Sequence, residues 1–242
     1  MSEKYDAMFS GVIGQDYDML NLICPLATKM SHLVGETLKN FAATKTDKLS
    51  VVELGGGTGI TTLALLNASE NTQILSIDNE PVMQNQAKQN LNAWVEKGQL
   101  SFSENDALTA LKNLPDSSVD VIASAYTLHN FLNTYRADVV IEMFRVLKSG
   151  GQFINGDRYA LDDISQHTRA TQVEVAEYFR ILIAENKLDL LQHWIIHLFN
   201  DESENYVMRE TVALKQLRNA GFINVTLTNR TAVNALVSAT KA

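Results

Sequence analysis

The segment Gly55-Gly56-Gly57-Thr58-Gly59 directly follows the apolar run Leu49-Ser50-Val51-Val52-Glu53-Leu54. Glycine takes positive φ without steric penalty and lets a ligand come close to the backbone. A run of this kind at the end of a buried strand therefore suits a small molecule lying across the chain. Acidic residues recur at comparable points. Asp78 ends the stretch from Gln73 to Ile77, 25 positions after Glu53, and Asp106 comes shortly after Leu100 to Ser103. Each of these two carboxylates has a second reading, as the cap of the helix that follows. Tyr126 and His129 come after the run Val119 to Ser124. Imidazole is the side chain best suited to take a proton near neutral pH, although a hydrogen-bonded packing histidine fits the same position. Asp157, Arg158 and Tyr159 follow the next apolar stretch, where Arg158 suits an acidic ligand or a solvated surface. Asp189, His193 and His197 stand at i, i+4 and i+8, a metal-compatible helical face. With no cysteine or second acidic cluster beside them, no metal is expected.

The elements that must position these residues alternate. Strands are expected at Leu49–Leu54, 73–77, 100–103, 119–124 and 152–155. Helices are expected at about 60–67, 81–97, 107–111 and 136–147, the second starting at Pro81, where proline suits a first turn, and the last stopped by Gly150-Gly151. Strict alternation implies a parallel sheet covered on both faces. A helical region from Tyr17 to Phe41, interrupted at Pro25, precedes it. From Asp162 to Asn200 the alternation gives way to two helices. A helix from about Arg209 to Ala220 and two strands, 222–228 and 232–239, complete the pattern as an antiparallel hairpin turning at Asn229-Arg230-Thr231. The fold class is thus α/β, Rossmann-like, with a seven-stranded, mostly parallel sheet, a C-terminal antiparallel hairpin and a helical insertion after strand five. One domain is expected over 1–242: an N-terminal helical cap (1–45), a ligand-binding core (46–158), a helical insertion or lid (159–208), and the last helix with the hairpin (209–242).

Composition narrows the partners. With 28 acidic against 20 basic residues the net charge is −8, the wrong sign for neutralising a phosphate backbone, so nucleic acid is not expected. The single cysteine, Cys24, excludes an intrachain disulfide and fits a reducing compartment. The first 14 residues carry charges and no long apolar run, so neither a secretory signal nor a membrane span is expected. A cytoplasmic protein acting on a small molecule is the expectation, with a homodimer as the other partner left open.

A dinucleotide fold requires G-x-G-x-x-G. Counting from Gly55 the third glycine is Ile60, and from Gly57 it is Thr62. The residue that lets helix and strand pack around a pyrophosphate is missing in both registers. The arrangement E-x-G-x-G-x-G from Glu53 instead resembles motif I of the class I S-adenosylmethionine-dependent methyltransferases. Ile77-Asp78-Asn79, Glu104-Asn105-Asp106-Ala107, the segment from Asp120 to His129, and Val146-Leu147-Lys148-Ser149-Gly150-Gly151 resemble the later motifs in order.

The resemblance implies S-adenosyl-L-methionine as cofactor. It implies that Asp78 accepts from the ribose hydroxyls and that Asn105, Asp106 and Ala107 lie near the adenine amine. Glu53, Gly55 and Gly57 would belong to the cofactor bend, with Asn79, Met83 and Ala125 around it and Tyr17 covering it. His129 would sit beside the methyl group as base, with Tyr126 in the same pocket. Several segments, among them Glu204-Asn205-Tyr206-Val207-Met208, also resemble carboxy-S-adenosylmethionine synthase. That family holds its extra carboxylate with an arginine just before this segment; here Phe199-Asn200-Asp201-Glu202-Ser203 supplies only acids. Ordinary methyl transfer to a small-molecule acceptor is the expected activity, with the synthase or a non-catalytic cofactor-binding module as alternatives.

Overall fold

The computed structural model describes residues 25–242. Seven strands form one sheet in the order β3-β2-β1-β4-β5-β7-β6. The strands are β1 (Leu49–Leu54), β2 (Thr72–Ile77), β3 (Leu100–Ser103), β4 (Val119–Ala125), β5 (Leu147–Arg158), β6 (Phe222–Thr231) and β7 (Asn234–Lys241). The first five are parallel; β7 runs antiparallel between β5 and β6. This is the architecture expected from the alternation. Strand order reverses at β1 and β4, so the chain leaves these neighbours in opposite directions and opens a crevice at their carboxyl ends, where open α/β sheets bind ligands.

Helix α1 (Pro25–Ala42) lays Met30, Val34 and Leu38, at helical spacing, fully buried against the sheet. It is seated closely at Gly156 of β5, where a Cβ would come within 2.9 Å of the Met30 Cβ. On the sheet follow α2 (Ile60–Leu66), α3 (Pro81–Asn90), α4 (Asn92–Glu96), α5 (Ala107–Lys112) and α6 (Asn133–Val146). The two strand faces bury separate apolar clusters, one around Ile122, Phe153 and Val237, the other around Val51, Ile74 and Ile154.

Three boundaries differ from the sequence expectation. The helix expected over 81–97 breaks at Leu91, whose φ of −113° and ψ of 16° leave the helical region while its side chain stays buried. The strand expected at 152–155 begins at Leu147 and runs straight through Gly150-Gly151, because Leu147 pairs with Val119 before the register shifts. The C-terminal turn falls at Ala232-Val233 rather than at 229–231. Asn224 and Asn229, both left-handed near φ 52°, lie where the β6 register shifts, so β6 is longer than its alternation suggests.

The insertion forms α7 (Ile164–Ala184) and α8 (Leu188–Asp201), with a small core of its own around Tyr178, Leu182, Leu191, Trp194 and Leu198. Helix α9 (Glu210–Ala220) then leads into β6. No helix among the described residues is long and apolar enough to cross a membrane.

Candidate functional site

The bend after β1 is built around positive φ. Gly55 has φ 71° and Gly57 φ 52°, values that cost an L-residue about 1–2 kcal/mol. A Cβ on Gly55 would also lie 1.9 Å from the Thr127 Oγ1, so this turn closes against the turn after β4. Asp78, just past β2, fastens the bend. Its Oδ2 accepts from the Gly57 N–H at 2.7 Å and its Oδ1 from the Glu80 N–H at 2.8 Å. Asp78 itself lines the crevice in front of the bend.

Glu53 lies behind the bend. It is fully buried, and its Oε2 accepts from the hydroxyls of Thr62 at 2.6 Å and Ser76 at 2.7 Å. Burial pushes its carboxyl up to about 7 despite those two bonds. It touches no open space, so it props the glycine turn from beneath instead of facing a ligand.

In front of the bend is a partly open cleft lined by Gly55, Gly57, Asp78, Met83, Ala125 and Tyr126 among others. Mostly apolar walls with a few converging polar groups are the make-up of a small-molecule site. A small hollow adjoins it through the shared Gly55, Asp78, Thr127 and Phe131, and is bordered by Asn79, Asn105 and Ala107. The fold thus gathers eight of the expected cofactor residues around one space: Gly55, Gly57, Asp78, Asn79, Met83, Asn105, Ala107 and Ala125. Asp106 borders neither space. It is the N-cap of α5, accepting from the Thr109 N–H and from the Tyr135 hydroxyl at 3.0 Å, which is its alternative reading. Tyr17 and Cys24 lie outside the described residues.

Tyr126 lines the cleft from a left-handed conformation, φ 51°, uncommon for an aromatic residue. Its hydroxyl donates to the Asn234 Oδ1 on β7. His129 is not beside the cleft, where it was expected. It is buried with its ring edge against Tyr126, centroids 5.9 Å apart. Its Nδ1 bonds to the Asp157 Oδ1 at 2.6 Å. Burial alone would raise the Asp157 carboxyl, but the His129 ring holds it below the usual carboxylate range. The His129 Nε2 points toward α8, 3.8 Å from the Asp201 Oδ2.

Arg158 is not solvated. It is buried, and it pairs with Glu174 of α7 at 2.6 Å and Glu202 at 3.2 Å, tying the insertion to the end of β5. The helical face at 189, 193 and 197 does not assemble either: His193 is exposed and bonds the Asp189 carbonyl oxygen, while His197 is buried beside Asp201. Burial lowers the His197 ring below its ordinary value.

Other cleft residues escaped the sequence reading. Ser31 of α1 lines the cleft and shares a 2.8 Å hydrogen bond with the Thr61 hydroxyl of α2. Nothing local marks it, because the contact depends on how α1 docks. Thr127 and Asn130 did carry a signal, being polar residues in the turn after a central strand. Asn130 is buried and lines the cleft; its amide N–H donates to the Tyr126 carbonyl at 3.3 Å, while its Oδ1 has no hydrogen-bond partner.

Residues 52–155 match the methyltransferase domain family. The demethylmenaquinone methyltransferase of Leptospira interrogans is 36% identical over 127 residues, 52% of this chain and 48% of that protein. The carboxy-S-adenosyl-L-methionine synthase of Photorhabdus laumondii is 22% identical over 149 residues, 60% of this chain and 56% of that protein. The chain therefore spans about half the length of the curated relatives it matches. Among solved structures, an O-methyltransferase family protein from Burkholderia thailandensis superposes with a TM-score of 0.65 at 16% identity, over 95% of this chain and 60% of that one, a likeness of fold.

Proposed function

We propose that this chain, which carries a class I S-adenosylmethionine-dependent methyltransferase domain at residues 52–155, transfers a methyl group in line from S-adenosyl-L-methionine to a small-molecule acceptor. The observation that carries the reading is the Asp78 carboxylate, fastened to the Gly57 N–H at the mouth of a cleft whose glycine wall leaves no room for a side chain at Gly55. The residues present fit the cofactor. Asp78 lines the cleft with a carboxylate, the group suited to accept from ribose hydroxyls, Asn79, Asn105 and Ala107 border a hollow beside it, and the Asn130 Oδ1 has no hydrogen-bond partner.

When bound, the cofactor supplies an electrophilic methyl on sulfur. The chain's own residues then have to align an acceptor and exclude water. Tyr126 walls the cleft at the end of β4 and is kept in place by Asn234. His129 stands behind it, oriented by Asp157, so it acts on a proton only if the acceptor reaches into the chamber under α7 and α8. These two helices serve as the acceptor lid, and their exposed Val173, Phe179, Ile196 and Phe199 suit pairing with a second copy.

The relative from Leptospira acts, by its name, on a demethylmenaquinone; an apolar ring acceptor is the first class to try here. A carboxy-S-adenosylmethionine synthase reading needs a cation for the extra carboxylate, and Arg158 is already engaged by Glu174 and Glu202. Calorimetry with S-adenosylmethionine and its demethylated product tests the cofactor half. S-adenosylhomocysteine release across an acceptor panel tests the transfer. Absence of binding by the wild type overturns the reading, and tight binding without turnover on any acceptor leaves the non-catalytic module in its place.

A further inference from the structure

A small hollow under α7 and α8 brings together His129, Asp201, Arg158, His167 and Met208. We infer that His129, His197 and Asp201 form a binding site for one divalent transition-metal cation. Their ligand atoms all lie within 4.8 Å of one another, and all three residues are buried. The His197 Nε2 is 3.5 Å and the His129 Nε2 3.8 Å from the Asp201 Oδ2. Those separations are too long for strong hydrogen bonds. They are close to the roughly 3–3.5 Å between ligand atoms that metal bonds of about 2.0–2.2 Å impose.

Three further observations point the same way. First, the His129 Nδ1 must donate to Asp157, since a carboxylate only accepts, so in the neutral ring the Nε2 lone pair faces the cluster. Asp157 is itself fixed by the N–H groups of Leu128 and Arg158 and by the Asn155 amide, the outer support that metal-binding histidines require. Second, the Asp201 Oδ1 is buried without a hydrogen-bond partner, a costly state for a carboxylate oxygen.

Third, the close ion pairs of this chamber run from His129 to Asp157, from Arg158 to Glu174 and Glu202, and from His167 to Glu202, whereas the nearest imidazole nitrogens across from the Asp201 carboxylate stand 3.5 and 3.8 Å away. Two imidazoles and one carboxylate favour iron, cobalt, nickel or zinc over magnesium or calcium.

His197 and Asp201 are one turn apart on α8, and His129 belongs to the turn after β4. A cation there links the lid to the core beside Tyr126. With three protein ligands it keeps a coordination position for an oxygen or nitrogen of the acceptor. That last role rests on the proposed methyl transfer; the metal site does not.

The test is metal titration of the tag-free full chain, stripped with a chelator and then given cobalt(II) or zinc(II). The expected result is one metal per chain, visible d–d bands for cobalt, and a higher melting temperature with zinc. Asp201→Asn and His197→Gln should each bind at least about tenfold more weakly, and the exposed His193→Ala should bind as the wild type does. Should either site variant fail to fold, an anomalous density peak between the three ligand atoms of a zinc-soaked wild-type crystal decides the matter. Wild-type binding no tighter than that of Asp201→Asn, or no peak at the cluster, overturns the site. Neither readout needs S-adenosylmethionine, so failure of the metal site and failure of the methyltransferase reading are distinguishable.

Discussion

Tyr126 and Asn234 bridge the two strands that flank β5: the phenol just past the end of β4 donates to the amide oxygen at the start of β7. Since Tyr126 holds a left-handed backbone, φ 51°, this bond and the packing on His129 oppose its release. Tyr126→Phe keeps the ring but removes the bond. It should lose about 1 kcal/mol of stability and lower kcat more than it raises KM for the cofactor, as read from denaturant titrations and steady-state rates.

Removing the Asp78 carboxylate takes away both the fastening of the Gly57 N–H and the expected ribose acceptor. Asp78→Ala should bind S-adenosylmethionine about 10- to 100-fold more weakly, as expected for charge-assisted bonds of roughly 1.5–3 kcal/mol. Calorimetry measures this directly, and equal affinity in the variant would remove Asp78 from the site.

At Gly55 a methyl group meets Thr127 and an unfavourable φ of 71° together. Gly55→Ala should abolish cofactor binding. Adding Thr127→Gly clears the collision but not the backbone strain, so the double variant should regain binding while remaining about 1 kcal/mol less stable than Thr127→Gly alone. A double-mutant cycle by calorimetry and thermal melts separates the two effects.

The buried Glu53, with its carboxyl at about 7 instead of 4.5, makes stability depend on pH. Between 4.5 and 7 the folded chain binds more protons at this site than the unfolded chain. The contribution is therefore fully present below 4.5 and lost as pH rises through 7. Two and a half units correspond to about 3 kcal/mol. Glu53→Gln should lack this slope, and urea midpoints at pH 5 and pH 8 should draw closer together in the variant than in the wild type.

The legible part of the sequence was the part governed by local rules. Glycine spacing after an apolar run located the bend at Gly55 and Gly57, and alternation gave the strand sequence through Asp78 and Ala125. Tertiary contacts were not legible. Asp106 shows both a ligand position and a cap in its sequence, and only the Thr109 and Tyr135 bonds reveal the cap. His129 sits where a base would stand in sequence, yet Asp157, 28 residues on, turns it away from the cleft. Ser31 reaches the site only because α1 docks over Gly156. Leu91 ended a helix with no glycine or proline to announce it, being drawn into the core under β1 and β3.

The α7–α8 hairpin keeps its apolar packing to itself, around Tyr178, Leu182 and Trp194, and reaches the body through the ionic contacts of Arg158 with Glu174 and Glu202. Such a unit can swing away while both its own interior and that of the body stay dry. Salt screens such buried pairs little, but removing one of them, as in Glu174→Gln, should quicken amide exchange in the hairpin ahead of the sheet, giving the molecule a door whose hinge is a buried charge and whose panel is hydrocarbon.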